Sequence, residues 1–325
     1  MRAYHAGPWI LASPKTLKAL NTVRTDTPLT SLPRTRSSFA SLAWWKGLRP
    51  LNLGLLVFTQ LYLIGSLKGI DSAMYHYPDI VAIVLSTMTM AASGYLLNDL
   101  YDFTTDRFNR PGKVWFEESE PLHRIKAIAL GLGLMAMALA WSINPWYVGL
   151  YAGVGLLLWC YALWIKSWVL VGNLLVAALM GLATALPGLV LHKDADAILP
   201  WYLYGGFAFG IGLLRELIKD IEDVKGDVLA GRKTFPILFG VKRATHLALV
   251  LALAFGFVML SLAVLHFDPQ TQTWPLWPIV VGFWVLAFTL YTIPELMRDA
   301  PRWKSLSSRL KWLMLFGILT AAVFT

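Results

Sequence analysis

The chain has 325 residues, 57% of them hydrophobic and 14% charged, with a formal net charge of +9. Its mean hydropathy of +0.58 excludes a water-soluble globular domain, because water cannot be the solvent for most of such a surface. The charge does not imply nucleic-acid binding, since Lys and Arg are spread by loop along the chain and not gathered in one patch.

Residues 1–44 are rich in Ser, Thr, Pro and Arg, and Asp26 is their only acid. This composition predicts a basic, partly disordered cytoplasmic tail, with an organelle transit peptide as the lesser alternative. About nine mainly apolar stretches follow, at residues 51–70, 78–99, 126–143, 146–164, 168–191, 200–219, 244–266, 274–293 and 308–325. Each is near the roughly 20 residues that a helix needs to cross a bilayer core of roughly 30 Å. Continuous apolar runs without β-type alternation favour helices over a barrel. The expected fold is therefore an all-α, polytopic membrane protein.

Basic residues alternate in density between the connections. Arg2, Lys15, Lys18, Arg24, Arg34, Arg36, Lys46 and Arg49 precede the first span. The connections after spans 2, 4, 6 and 8, with their adjoining helix ends, hold all the others except Lys68 and Lys193. By the positive-inside rule, the amino terminus and the even-numbered connections face the cytoplasm, with the cell (inner) membrane as the expected location. A single cysteine, Cys160, lies inside an apolar span and reads as a small buried hydrophobe; no intramolecular disulfide is possible.

The second span ends in Asn98, Asp99, Asp102 and Asp106, and the sixth ends in Glu216, Asp220, Asp223 and Asp227. Both contain the spacing DxxDxxxD. At about 100° per residue, positions i, i+3 and i+7 fall within about 60° of one another, so each trio forms one carboxylate stripe if its helix continues. Carboxylates stacked at a membrane boundary repel one another and are costly to desolvate, so a cation should sit between them. A hard divalent ion such as magnesium takes oxygen ligands of this kind.

The second trio repeats the first four spans further on, which returns the chain to the same side of the membrane. That pattern predicts a parallel internal repeat whose two acid stripes face one cavity. Two such stripes suit magnesium with a diphosphate between them. Arg107, Arg110 and Lys113 follow the first cluster, and Arg232 and Lys233 follow the second, where they are candidate phosphate clamps. Asn52, Tyr161, Lys166, Ser167 and Asn173 are further candidates to line the cavity, with interhelical bonding or snorkelling as their alternative roles.

The stretch Asn98 to Lys113, NDLYDFTTDRFNRPGK, resembles the NDxxDxxxD motif of the UbiA family of intramembrane prenyltransferases. Arg215 to Gly240, RELIKDIEDVKGDVLAGRKTFPILFG, is similar to the family's second acid motif and its following Lys-Thr-x-Pro segment, and Arg49-Pro50 matches a looser feature. The resemblance covers residues 45–325. It implies nine spans around a central cavity, dependence on Mg2+, and transfer of a polyprenyl group from a polyprenyl diphosphate donor to a lipophilic acceptor.

Carried over, it implies that Asn98, Asp99, Asp102, Asp106, Asp220, Asp223 and Asp227 hold the metal diphosphate. Asp102, Asp106, Asp223, Asp227 and Asn98 are then the residues of the reaction itself. Within the family, the second motif is most similar to the branch that prenylates geranylgeranylglyceryl phosphate, an ether-lipid precursor; an aromatic acceptor is the alternative. The segment from Lys113 to Pro121, with Trp115, Phe116, Glu117, Glu118 and Glu120, departs from the commoner continuation. An ion-coupled transporter is the alternative of another class, and it predicts acids nearer the bilayer midplane than these.

Overall fold

The computed structural model describes residues 45–68, 76–109, 114–116, 122–192, 195–265, 286 and 303–319. The tail at 1–44 and the predicted span at 274–293, apart from Leu286, lie outside the described residues, as do Arg110, Lys113, Lys193 and the glutamates at 117, 118 and 120.

The regular structure among the described residues is helical. In chain order the helices are α1 (Pro50–Lys68), α2 (Tyr77–Asn109), α3 (Leu122–Ile143), α4 (Pro145–Leu163), α5 (Val171–Leu191), α6 (Ala195–Glu222), the short α7 (Val224–Leu229) and α8 (Phe235–Phe239), α9 (Val241–Leu265) and α10 (Trp303–Leu319). A 3₁₀ turn, Ile165–Ser167, joins α4 to α5.

Six of these helices, α1 to α5 and α9, are long and apolar enough to cross a membrane. At 28 residues α6 is also long enough, but its last turns carry Arg215, Glu216, Lys219 and Asp220. Outward faces bearing Trp146, Leu156, Val250 and Phe257 are exposed, as expected where lipid is the solvent. The protein is an integral membrane protein.

Two helices organise the site. α2 has 33 residues, which at 1.5 Å per residue gives about 50 Å, longer than a bilayer core. Its apolar span ends at Phe103, so its last turns project past the core. It packs on α1, α3, α4, α5 and α7, while α6 packs on α5, α9 and α10. Trp201, Tyr204, Phe207, Ile211, Leu214 and Leu217 of α6 are fully buried.

Close approach of α5 and α6 depends on two glycines. A Cβ on Gly181 would lie 2.8 Å from the Gly205 carbonyl oxygen, and one on Gly205 would lie 2.9 Å from that of Gly181. Small residues at this crossing let two backbones meet, which is how helices gain dispersion contacts in lipid.

Polar bonds between helices fix their register. Pro187 interrupts α5 and has no N–H to donate to the Ala183 carbonyl one turn back. Gln60 of α1, fully buried, supplies the missing donor: its Nε2 lies 2.7 Å from that oxygen. Thr87 of α2 and Tyr151 of α4 bond through their hydroxyls at 2.8 Å, and Ser93 Oγ donates to the Ala129 carbonyl of α3 at 2.6 Å. With no water in the bilayer core, each bond satisfies groups that would otherwise stay unpaired.

Candidate active site

Because α2 continues unbroken to Asn109, Asp99, Asp102 and Asp106 form the single stripe that their spacing predicts. The second motif differs. α6 ends at Glu222 and α7 begins at Val224, with Asp223 at the joint (φ −93°, ψ 4°). The expected straight second stripe is therefore corrected to a bent one, in which Asp220 stands on α6 and Asp227 on α7. The bend turns α7 against α2, so the second motif closes on the first.

Asp102 is the meeting point. Lys166 Nζ donates to its Oδ1 at 2.5 Å, and Arg232 Nη2 donates to the same oxygen. Arg232 Nη1 also donates to Asp227 Oδ1 at 3.0 Å, so one guanidinium spans both acid motifs. Its fork geometry suits this bridging. Asp220 Oδ2 accepts from Asn173 Nδ2 of α5 at 2.8 Å. Glu216, almost fully buried, accepts from Arg215 Nη1 at 2.8 Å and from Lys219 Nζ at 3.2 Å. Tyr161 of α4 lies within electrostatic range of Glu216, Asp102 and Asp220.

Asp99 accepts from Arg49 Nη2 at Oδ1 and from Trp115 Nε1 at Oδ2, the latter at 2.9 Å. The Arg49 guanidinium also lies over the Tyr95 ring, 5.0 Å from its centroid.

Burial pushes the Asp227 carboxyl up to about 6, with Arg232 pulling the other way. Burial raises Asp106 too, reinforced by the charges of Asp102 and Asp99. It lowers the Lys166 ammonium against the attraction of Asp102. Burial is the leading cause of all three shifts, and it disfavours the charged form of acid and base alike.

Among the described residues, no three acidic, histidine or cysteine side chains converge as a metal cage. The donor chemistry nevertheless fits magnesium. The acids are hard oxygen donors on two facing helix ends, and Asn98 Oδ1 is buried with no hydrogen-bond partner among the described residues. Magnesium ordinarily takes one or two carboxylates and completes its shell with water and substrate phosphate, so a closed protein cage is not required.

Of the sequence-predicted candidates outside the acid motifs, Lys166, Asn173 and Arg232 bond to these acids, and Tyr161 lies within electrostatic range of them. Asn52 is half-buried at the start of α1, and Arg107 lies over the Phe103 ring at 5.9 Å. Lys233 is exposed and forms no part of the pairing described above. Sequence reasoning missed Lys219, Arg215, Tyr95 and Trp115 as participants. Lys219 sits three residues after Glu216, a helical pairing distance that was open to inspection. Trp115 carries no such signal, because its partner lies 16 residues away, outside helical pairing distance.

Comparison with known proteins agrees with this architecture. Residues 55–318 match the model of the UbiA prenyltransferase family. Digeranylgeranylglyceryl phosphate synthase of Methanosphaera stadtmanae is 34% identical over 206 residues, covering 63% of this chain and 71% of the relative. The synthase of the same name from Methanobrevibacter smithii is 28% identical over 285 residues, 86% of this chain and 96% of the relative.

Among solved structures, one described as giving insights into the biosynthesis of digeranylgeranylglyceryl phosphate synthase in membranes has a TM-score of 0.62 at 20% identity, covering 86% of this chain and 96% of that one. A UbiA homolog from Archaeoglobus fulgidus bound to DMAPP and Mg2+ has a TM-score of 0.57 at 18% identity, covering 87% and 98%. These two share the fold. With both acid motifs joined through Arg232 and a family match running from α1 to α10, the chain belongs to the UbiA prenyltransferase family.

Proposed function

We propose that this chain transfers a polyprenyl group from its diphosphate to a glyceryl phosphate ether-lipid precursor, with Mg2+ as the metal. The observation that carries the reading is Arg232, which joins Asp102 of the first motif to Asp227 of the second and so gathers the acids of both motifs into one polar cluster. Relatives named as synthases of digeranylgeranylglyceryl phosphate support the acceptor over an aromatic ring. Family membership favours the enzyme over an ion-coupled carrier.

The proposed metal ligands are Asp102, Asp106, Asp220, Asp223 and Asp227, with Asn98 contributing its buried amide oxygen. Magnesium bound there would neutralise charge on the departing diphosphate. Lys166 and Arg232, held by carboxylates in this structure, would exchange those partners for phosphate oxygens. Tyr161 and the apolar walls limit water near the allylic carbon as its bond to oxygen lengthens. The acceptor's hydroxyl then captures that carbon, and its proton passes to a neighbouring carboxylate or phosphate oxygen. The isoprenoid tail stays among helices whose outer solvent is already lipid.

In the same reading the bundle has nine spans with a parallel four-span repeat, and the cavity opens to the cytoplasm. Arg110 and Lys113 belong to the phosphate side, and residues 1–44 form a basic cytoplasmic tail. Mass spectrometry of products formed by the purified chain tests the reaction, using a geranylgeranyl diphosphate donor with geranylgeranylglyceryl phosphate and 4-hydroxybenzoate in competition. The expected product is the doubly prenylated glyceryl phosphate, formed only with divalent metal. Prenylation of the aromatic acid alone would reject the acceptor, and no prenyl transfer to either would reject the reaction.

A further inference from the structure

Asp99 belongs to the acid spacing of the first motif, yet its surroundings differ from those of Asp102. Its two oxygens are both engaged, Oδ1 by Arg49 and Oδ2 by the Trp115 indole. At Asp102, Lys166 and Arg232 donate to one and the same oxygen.

The partners of Asp99 are themselves pinned. Arg49 has φ 53°, left-handed for a residue with a side chain and directly before Pro50. Such a conformation persists only where surrounding contacts impose it. Trp115 and Phe116 are buried, with Phe116 against the Phe103 ring at 5.1 Å. The Trp115 indole presses on the turn that leads into α1: a Cβ on Gly47 would lie 2.5 to 2.6 Å from three of its atoms.

Arg232 can leave Asp102 and still keep a carboxylate at Asp227, whereas among the described residues Asp99 is the one carboxylate that Arg49 bonds. A divalent ion at Asp99 would have to displace both Arg49 and Trp115, or sit beside a fixed positive charge. Arg49, so held, lies within electrostatic range of Asp106 on α2 and Glu216 on α6.

We propose that Asp99 is a positioning residue and not a metal ligand: it clasps Arg49 and Trp115 together, aiming a cation at both acid motifs and docking residues 114–116 on the turn before α1. This assignment rests on the reading of the cavity as a prenyl diphosphate site. It separates Asp99 from the other acids of a motif in which spacing alone makes them equivalent.

The test compares Asp99→Asn, Asp102→Asn, Arg49→Lys and Trp115→Phe in the full chain in detergent. Mn2+ binding in the presence of inorganic diphosphate, followed by electron paramagnetic resonance, should stay within about threefold of wild type for Asp99→Asn and Trp115→Phe. It should weaken at least tenfold for Asp102→Asn. In prenyl transfer, Asp99→Asn should lower kcat about tenfold while leaving the Mg2+ concentration for half-maximal rate unchanged.

The double variant Asp99→Asn/Arg49→Lys should be no worse than its weaker parent, because the two residues act through one contact. A loss of Mn2+ affinity in Asp99→Asn equal to that in Asp102→Asn would overturn the proposal, and so would losses that multiply in the double variant. If Asp99→Asn does not accumulate folded, Trp115→Phe decides: lowered kcat at unchanged Mn2+ affinity supports the clasp, and wild-type kinetics reject it. A wild-type chain that binds no Mn2+ with diphosphate rejects the reading of the cavity; in that case the clasp stands or falls on whether the Tm losses of Asp99→Asn and Arg49→Lys are non-additive.

Discussion

Arg232 donates to carboxylates on two helices at once, and the cavity's charge balance turns on such shared cations. Burial has pushed Asp227 up to about 6 even with Arg232 beside it, so the carboxylate is the costly form and the proton the easy occupant. A metal ion must compete with that proton. Above about pH 6 the group is ionised and available; below it, protonation removes one ligand. Divalent metal retention in the presence of diphosphate should therefore fall as pH drops through about 6, and Asp227→Asn should weaken binding and flatten that part of the profile. Dialysis of Mn2+ against buffers from pH 5 to pH 8 measures it, and an identical profile in the variant would remove Asp227 from the ligand set. Lys166 shows the same economy of charge: it is nearly buried, and its ammonium is held by Asp102, where the sequence alone left open whether it reached toward the interface.

α2 and the α6–α7 pair carry the same acid spacing on different local structures. Equal spacing predicts equal stripes, and for α2 this holds because nothing interrupts the helix before Asn109. The joint at Asp223 breaks the second stripe, and no residue type in the motif demands it; packing of α7 against α2 is a long-range influence that local propensity does not encode. The pairing of α5 with α6 was equally hidden. Either glycine at that crossing reads as an ordinary small residue until its partner is known. Gly205→Val should destabilise the bundle by about 1–3 kcal/mol, the usual cost of overpacking, because its side chain would meet the Gly181 carbonyl and the Ala185 side chain. Gly206→Ala is the control, since a Cβ there meets nothing within 4 Å. Thermal unfolding in detergent compares the two, and equal midpoints would show that the crossing tolerates side chains.

For the whole molecule, orientation in the membrane follows from where the basic residues lie. The connections near residues 101–125 and 220–243 are proposed to be cytoplasmic, so engineered cysteines there should resist a membrane-impermeant maleimide in intact cells and react once the cells are opened. Rapid labelling from outside would invert the proposed topology. The amino-acid sequence by itself determined that the chain lives in lipid, where six apolar helices run among the described residues, and that two acid clusters sit at helix ends, because hydropathy, span length and side-chain spacing are local properties. It also brought Lys166, Arg232, Asn173 and Tyr161 into consideration, without saying what each would touch. Only the tertiary structure decided the partners: Lys166 with Asp102 across 64 residues, Arg232 with Asp102 across 130, and Trp115 with Asp99 across 16. Such contacts depend on helix crossings and joints set by the packing of the entire bundle, and a displacement of one helical turn, about 5.4 Å, would replace every one of them while leaving the sequence pattern unchanged.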